Sequence, residues 1–301
     1  DKFDAVGIDA TVALPKGSSI ASGRSAVEMD VANFSSLQRM VWEQTMWRRH
    51  VKSSAADILF SSANFALLNC PIPQLLLMRE GGLFNPYYIK NVFPTLGTQA
   101  KVLTRLRRLF MIRSIKAATV VMLPSESLYD WILAYCPELE GKAVINAYGI
   151  NLAHFTLQPP HRIETASQLK LLYVSVYYPH KDPETLNRAV QKLRAEGVET
   201  TAHITMSKAE FEPWEEGIKD YQSLKNGEGE GYLTLETIGR GNLPRTYGKY
   251  DIFIFPSVSE TFGFPLAEAM ASGLPVIAAD SLINREICGP AALYYPPFNS
   301  D

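Results

Sequence analysis

The stretch DIFIFPSVSETFGFPLAEAMASGLPVIAAD, residues 251–280, decides the fold. Ile252 to Phe255 make a short apolar run stopped by Pro256, which reads as a buried strand. Pro265 suits the first position of a helix, and Gly273 the point just past its end. Pro275 to Ala279 then reads as the next buried strand. Strand, loop, helix and strand make a βαβ unit whose loop lies at the carboxyl end of a parallel strand, where open α/β sheets bind nucleotides.

Two carboxylates stand around that loop. On one helix Glu260 and Glu268 would lie two turns apart, but Pro256 and Gly263 put Glu260 in the loop and Glu268 in the first helical turn, so both can reach one cleft. Between them the backbone N–H groups around Gly263 and Phe264, aided by the helix dipole, form a site for phosphate. A nucleotide diphosphate sugar is an anion flanked by two sets of hydroxyls, and a carboxylate on each side can accept from sugar and ribose. The plain alternative makes Glu268 a dipole-favoured residue of the first turn and Glu260 a solvated loop residue.

The same segment closely resembles the donor-binding signature of family four of the retaining glycosyltransferases of the GT-B fold (glycosyl transferases group 1), a glutamate, seven residues and a second glutamate. The resemblance implies an α/β fold of two Rossmann-like domains with parallel sheets facing a central cleft. It implies that Glu260 contacts the donor sugar, that Glu268 holds the ribose, and that main-chain amides of Thr261, Phe262, Gly263 and Phe264 bind phosphate. LKLLYVSVYYPHKDPETLNRAVQKL, residues 169–193, is similar to the first strand and helix of the family's donor domain, with Leu186, Ala189, Val190 and Leu193 at helical spacing. Lys181 fits the family's phosphate-binding lysine, Ser175 stands where a glycine is common, and Val176 stands where an arginine is usual. Arg240, in IGRGNLPRTYGKYD, is the candidate to replace that missing cation. The family is metal-independent, and no DxD triplet occurs here, so no metal and no cofactor beyond the nucleotide sugar as co-substrate is expected.

VINAYGINLAHF, residues 144–155, resembles the strand and turn that close the family's first domain, and the polar TLQPPHRIETASQ after it reads as a linker. The expected division is an acceptor-side Rossmann-like domain over 1–154, a linker over 155–168 and a nucleotide-sugar-binding domain over 169–301. DILFSSANF, PQLLLMREGGLFNP, ATVVMLPSESLYDWIL and AVINAYGI supply the strands of the first domain. Against the family pattern, the first strand and the terminal helices are expected to be missing.

Length and composition agree. With 301 residues, 47% of them hydrophobic, the chain can fill two cores, which excludes disorder and a small disulfide scaffold. Cys70, Cys136 and Cys288 are odd in number, widely spaced and without CxxC, as suits buried thiols in a reducing compartment. No apolar run reaches spanning length, and the expected location is cytoplasmic, with membrane association on that face as an option. The first 150 residues hold 16 Lys plus Arg against 12 Asp plus Glu, and the remainder 13 against 19. KVLTRLRRLFMIRSIKAA carries Lys101, Arg105, Arg107, Arg108, Arg113 and Lys116 with no acid, and Leu103, Leu106, Leu109 and Phe110 at helical spacing. Such a helix over 101–116 either rests on an anionic membrane or packs by its leucines with a solvated basic face.

Other signals are weak. The five histidines are scattered without metal-ligand spacing, NGEGEGYL reads as a surface loop, and Ser125 in LPSESL reads as an N-cap. The domain is too mildly basic for a nucleic-acid partner. The expected activity is retaining transfer of a hexose from a nucleotide sugar to a hydroxyl acceptor, a glycan or lipid-linked sugar in polysaccharide synthesis. A related sugar-nucleotide epimerase or a non-catalytic GT-B partner subunit are the alternatives.

Overall fold

The computed structural model describes residues 6–18, 25–157 and 168–301. Residues 158–167, within the expected linker, lie outside the described residues, as do 1–5 and 19–24. Two compact units form, one running to Leu59 with Leu67–Gln74 added, the other Phe60–Ala66 with Leu75–Asp301. In the smaller unit β1 (Val12–Pro15) and β2 (Ala26–Met29) pair in parallel. Helix α1 (Ser36–Trp42) starts at a capping box between Ser35 and Gln38 and leads through a π-helical turn, Glu43–Trp47, into α2 (Arg48–Ser53).

The larger unit is built on two sheets. The first has the order β3 (Leu59–Ser61), β4 (Gln74–Leu77), β5 (Val120–Leu123) and β6 (Ala143–Ile145), with β4, β5 and β6 parallel. Helix α3 (Thr98–Ala117) precedes β5, and α4 (Glu126–Leu133) follows it, capped by Ser125, whose hydroxyl accepts from the Leu128 N–H at 3.3 Å. Leu76, Met111, Ile115, Val121, Leu123 and Leu128 fill the core beneath.

The second sheet is formed by β7 (Leu169–Tyr173), β8 (Thr200–Ile204), β9 (Leu233–Leu235), β10 (Ile252–Phe255), β11 (Val276–Ala279) and β12 (Ala292–Tyr295). Its order is β12-β11-β10-β7-β8-β9 and all pairings are parallel. Helices α5 (Pro183–Ala195), α6 (Lys208–Phe211), α7 (Glu215–Gly229), α8 (Leu243–Tyr247), α9 (Phe264–Ala271) and α10 (Leu282–Cys288) connect the strands. The order reverses between β7 and β10, so the loops after these two central strands diverge and open a crevice at their carboxyl ends.

Two expectations change. The NGEGEGYL stretch is not a loop: α7 runs to Gly229. A Cβ on Gly227 would fall 2.8 Å from atoms of Tyr232 and Leu233, so the glycine serves close helix–strand packing that outweighs its poor helix propensity. The basic helix forms as α3, but its leucines do not pack it: Met111, Ser114 and Ile115 are its buried residues, while Leu103 and Leu106 are 58% and 56% exposed. Their stripe includes Val102 and Leu109, also exposed, so the plain reading of a leucine-packed helix does not hold.

Candidate functional site

The loops after β7 and β10 carry Ser175, Lys181, Glu260 and the Thr261 to Gly263 turn and are tied to each other. Tyr173, wholly buried at the end of β7, donates its hydroxyl to the Lys181 carbonyl at 2.7 Å. The Val258 N–H donates to the His180 carbonyl at 3.1 Å. Asn284 on α10 donates from Nδ2 to the carbonyls of Ser257 and Ala279 at 3.0 and 2.9 Å, anchoring the Pro256 to Ser259 segment from below. These bonds set Lys181 facing Glu260 across 79 residues of sequence, and the two side chains form an ion pair only 11% and 14% exposed.

Burial governs the rest of the lysine loop. His180, stacked on Tyr178, has its Nδ1 buried with no partner among the described residues, and its pKa is pushed down to about 4 by burial and by the Lys181 charge. Asp182 occupies the left-handed region at φ 47° and caps α5, accepting from the Thr185 hydroxyl at 2.6 Å. Burial lifts its carboxyl to about 6, against the opposing pull of Thr185. Ser175, two residues past the end of β7, donates its N–H to Thr205 Oγ1 at 3.0 Å, and Val176 is exposed beside it.

The turn from Thr261 to Phe264 depends on Gly263, whose φ of 78° makes it the N-cap of α9 without a side-chain cap. Among the described residues none accepts from the N–H groups of Thr261, Phe262, Gly263 or Phe264, so the turn presents donors at a helix N-terminus. A Cβ on Gly263 would lie 3.9 Å from Glu260 Cγ, which places the glutamate beside those donors. With the cap at Gly263, Pro265 becomes the second helical residue and Glu268 the fifth. Glu268 is therefore in the second turn, one residue further in than the first-turn position the sequence suggested. It is half-buried, accepts from the Tyr247 hydroxyl at 2.8 Å, and has its pKa raised by burial. The hydroxyl and the Arg240 charge oppose that rise, so Arg240 stands near the second acid of the pair.

Residues of the first sheet complete the surroundings, and the sequence reading missed most of them. Ser125, besides capping α4, donates to the Thr261 carbonyl at 2.9 Å. Gly81 follows β4, and a Cβ there would fall 3.0 Å from Thr261 Cγ2 and 2.8 Å from Leu128 Cδ1. Tyr148, after β6, stacks on Phe264 at 5.2 Å and meets Phe262 edge-on at 5.5 Å. Glu286 on α10 accepts from the N–H groups of Glu126 and Ser127 and from the Ser127 hydroxyl at 2.7, 2.9 and 2.6 Å, binding α10 to the N-terminus of α4. The only sequence signals for these were a glycine pair after a strand and an aromatic in a closing turn.

The family model "Glycosyl transferases group 1" matches residues 159–301. Among curated proteins, O-antigen chain mannosyltransferase B of Escherichia coli is 29% identical over 141 residues, 46% of this chain and 36% of that protein. Sucrose-phosphate synthase from Thermosynechococcus elongatus superposes with a TM-score of 0.71 at 16% identity, over 99% of this chain and 78% of that one. Anabaena HepE, solved with UDP and glucose, superposes at 0.66 and 15% identity, over 92% and 74%. The chain thus has the GT-B fold, and its residues 159–301 match the glycosyl transferases group 1 family model.

Proposed function

We propose that this chain is a retaining, metal-independent hexosyltransferase that takes its sugar from a nucleotide diphosphate donor held by the second sheet, and passes it to a hydroxyl acceptor presented by the first. One observation carries the reading: a nearly buried Lys181–Glu260 pair lies beside a helix-opening turn whose N–H groups have no acceptor among the described residues, and a second carboxylate, half-buried, follows on that helix. Cation and amides would meet the diphosphate, where charge accumulates as the glycosidic bond breaks, and in a dry cleft each well-placed donor is worth a few kcal/mol. Glu260 holds Lys181 in place and offers an acceptor to the sugar hydroxyls, while Glu268 takes the ribose. The leaving diphosphate, rather than a protein nucleophile, receives the acceptor proton.

The matched E. coli protein is named for mannosyl transfer to O-antigen, and HepE was solved with UDP and glucose. A hexose donor and a glycan or lipid-linked acceptor in polysaccharide synthesis, at the cytoplasmic face, follow for this chain as part of the proposal. The domain division at residues 1–154, 155–168 and 169–301 belongs to the same reading. So does peripheral membrane contact: no helix among the described residues can cross a bilayer, but α3 presents Val102, Leu103, Leu106 and Leu109 beside Arg105 and Arg113, a face suited to anionic lipid.

The test is donor turnover with UDP-glucose and GDP-mannose. Glu260→Ala should abolish release of nucleotide diphosphate from the sugar nucleotide while leaving affinity for the free nucleotide intact or tighter, because Lys181 then has only the diphosphate to pair with. Equal loss of both refutes the assignment. Val176, exposed where the family carries arginine, favours the rival of a non-catalytic partner subunit, which predicts no turnover with any donor.

A further inference from the structure

Tyr247 closes α8, and its ring is completely buried between Phe253 and Phe155, with centroids 5.7 and 6.2 Å away. A ring so enclosed has one orientation. Its hydroxyl emerges from the apolar core at Glu268 Oε2, 2.8 Å away and 21 residues distant in sequence. Glu268 Oε1 has no partner among the described residues. A glutamate on a helix face ordinarily samples several rotamers, and ordering it costs conformational entropy. Fixing one oxygen to a rigid donor removes that cost before any ligand arrives and leaves the other oxygen available as an acceptor.

We propose that Tyr247 is a positioning residue, which presets the Glu268 carboxylate so that its second oxygen accepts from a nucleotide ribose. The inference rests on the donor-site reading above. The bland account is that a buried tyrosine hydroxyl simply found an acceptor. The two differ in what loss of the hydroxyl does to ligand binding.

Tyr247→Phe keeps the ring and removes the donor. The test is calorimetric titration with UDP, GDP and ADP, alongside donor kinetics and thermal melts. Tyr247→Phe should weaken the nucleotide that wild type binds by about fivefold or more and raise KM for the donor with kcat retained. The same change made in a Glu268→Ala background, where the hydroxyl has no acceptor left to position, should add no further loss. The charged or titratable groups facing Glu268 are Tyr247 and Arg240, and burial already raises the glutamate's pKa. Loss of the hydroxyl should thus move the acid limb of nucleotide binding to higher pH, which a packing role would not do. Unchanged affinity and pH limb in Tyr247→Phe, with wild type binding and Glu268→Ala impaired, overturns the positioning role alone. A wild type that binds no nucleotide overturns the donor-site reading and this inference with it.

Discussion

Replacing Asp182 by Asn should make the protein acid-sensitive in a range where the wild type is not. Two neighbouring residues of the lysine loop have opposite perturbations: His180 is pushed from 6.5 to about 4, and Asp182 is lifted from 3.8 to about 6, both chiefly by burial. For His180 the depressed folded value means that stability is complete above pH 6.5 and is lost as pH falls through 4. For Asp182 the raised value has the reverse effect, with stability present at low pH and lost as pH rises from 3.8 to 6. At about 1.4 kcal/mol per pH unit each displacement is worth about 3 kcal/mol. Around pH 5 the folded loop holds one proton on Asp182 and the unfolded loop one on His180, so the two nearly cancel. From pH 7 to 4.5 the pair should cost the wild type less than about 1 kcal/mol.

Asn keeps the α5 cap and tolerates the left-handed φ of 47°, so Asp182→Asn removes the titration with little other disturbance. Over the same interval the variant should lose about 2.5 kcal/mol from His180 uncompensated, and at pH 7 it should match or exceed the wild type. His180→Gln should give the mirror image, gaining about 2 kcal/mol on acidification. Urea unfolding followed by tryptophan fluorescence at half-unit pH steps reads the difference, and titrations elsewhere cancel between variant and parent. Parallel profiles for Asp182→Asn and wild type would refute the assignment of opposed burial to the two groups.

Further outcomes follow from the same geometry. Lys181→Met leaves Glu260 nearly buried and unpaired, so it should destabilise by about 3 kcal/mol and lose nucleotide binding, and the double variant with Glu260→Met should regain much of the stability but none of the binding. Glu286→Ala deprives the α4 N-terminus of three hydrogen bonds and should cost about 1–3 kcal/mol, with Glu286→Gln between it and wild type in chemical denaturation. Gly81→Ala drives a methyl against Leu128 and Thr261 and should lower kcat more than melting temperature, since the Thr261 turn moves before the core does. Gly263→Ala forces a φ of 78° on a residue with a Cβ, should cost about 1 kcal/mol, and should weaken diphosphate binding by displacing the turn's N–H groups, as titration would detect.

The β10 to β11 unit was legible because its punctuation has few other uses: Pro256 ends an apolar run, Gly263 supplies the positive φ and Gly273 stops the helix. The exact start of α9 was not, since Pro is tolerated at either of the first two helical positions, and that one-residue ambiguity moved Glu268 out of the first turn. NGEGEGYL misled because local propensity disfavours a glycine in a helix, whereas the deciding fact, the ring of Tyr232 against Gly227, is tertiary. The Lys181–Glu260 pair and the Tyr247–Glu268 bond join residues 79 and 21 positions apart, and no spacing rule reports which partner a buried charge will find. Exposure of the α3 leucines was likewise beyond reach, because periodicity identifies an apolar stripe without saying what covers it.

The central claim, that Lys181, the Thr261 to Phe264 turn and Glu268 together hold a nucleoside diphosphate, is tested most directly by calorimetric titration of the wild type and Glu268→Ala with UDP, GDP and ADP. The account predicts saturable binding of at least one of the three and a loss of about tenfold or more on removing the carboxylate. Heats of dilution alone for all three, or affinities unaltered by Glu268→Ala, would contradict it.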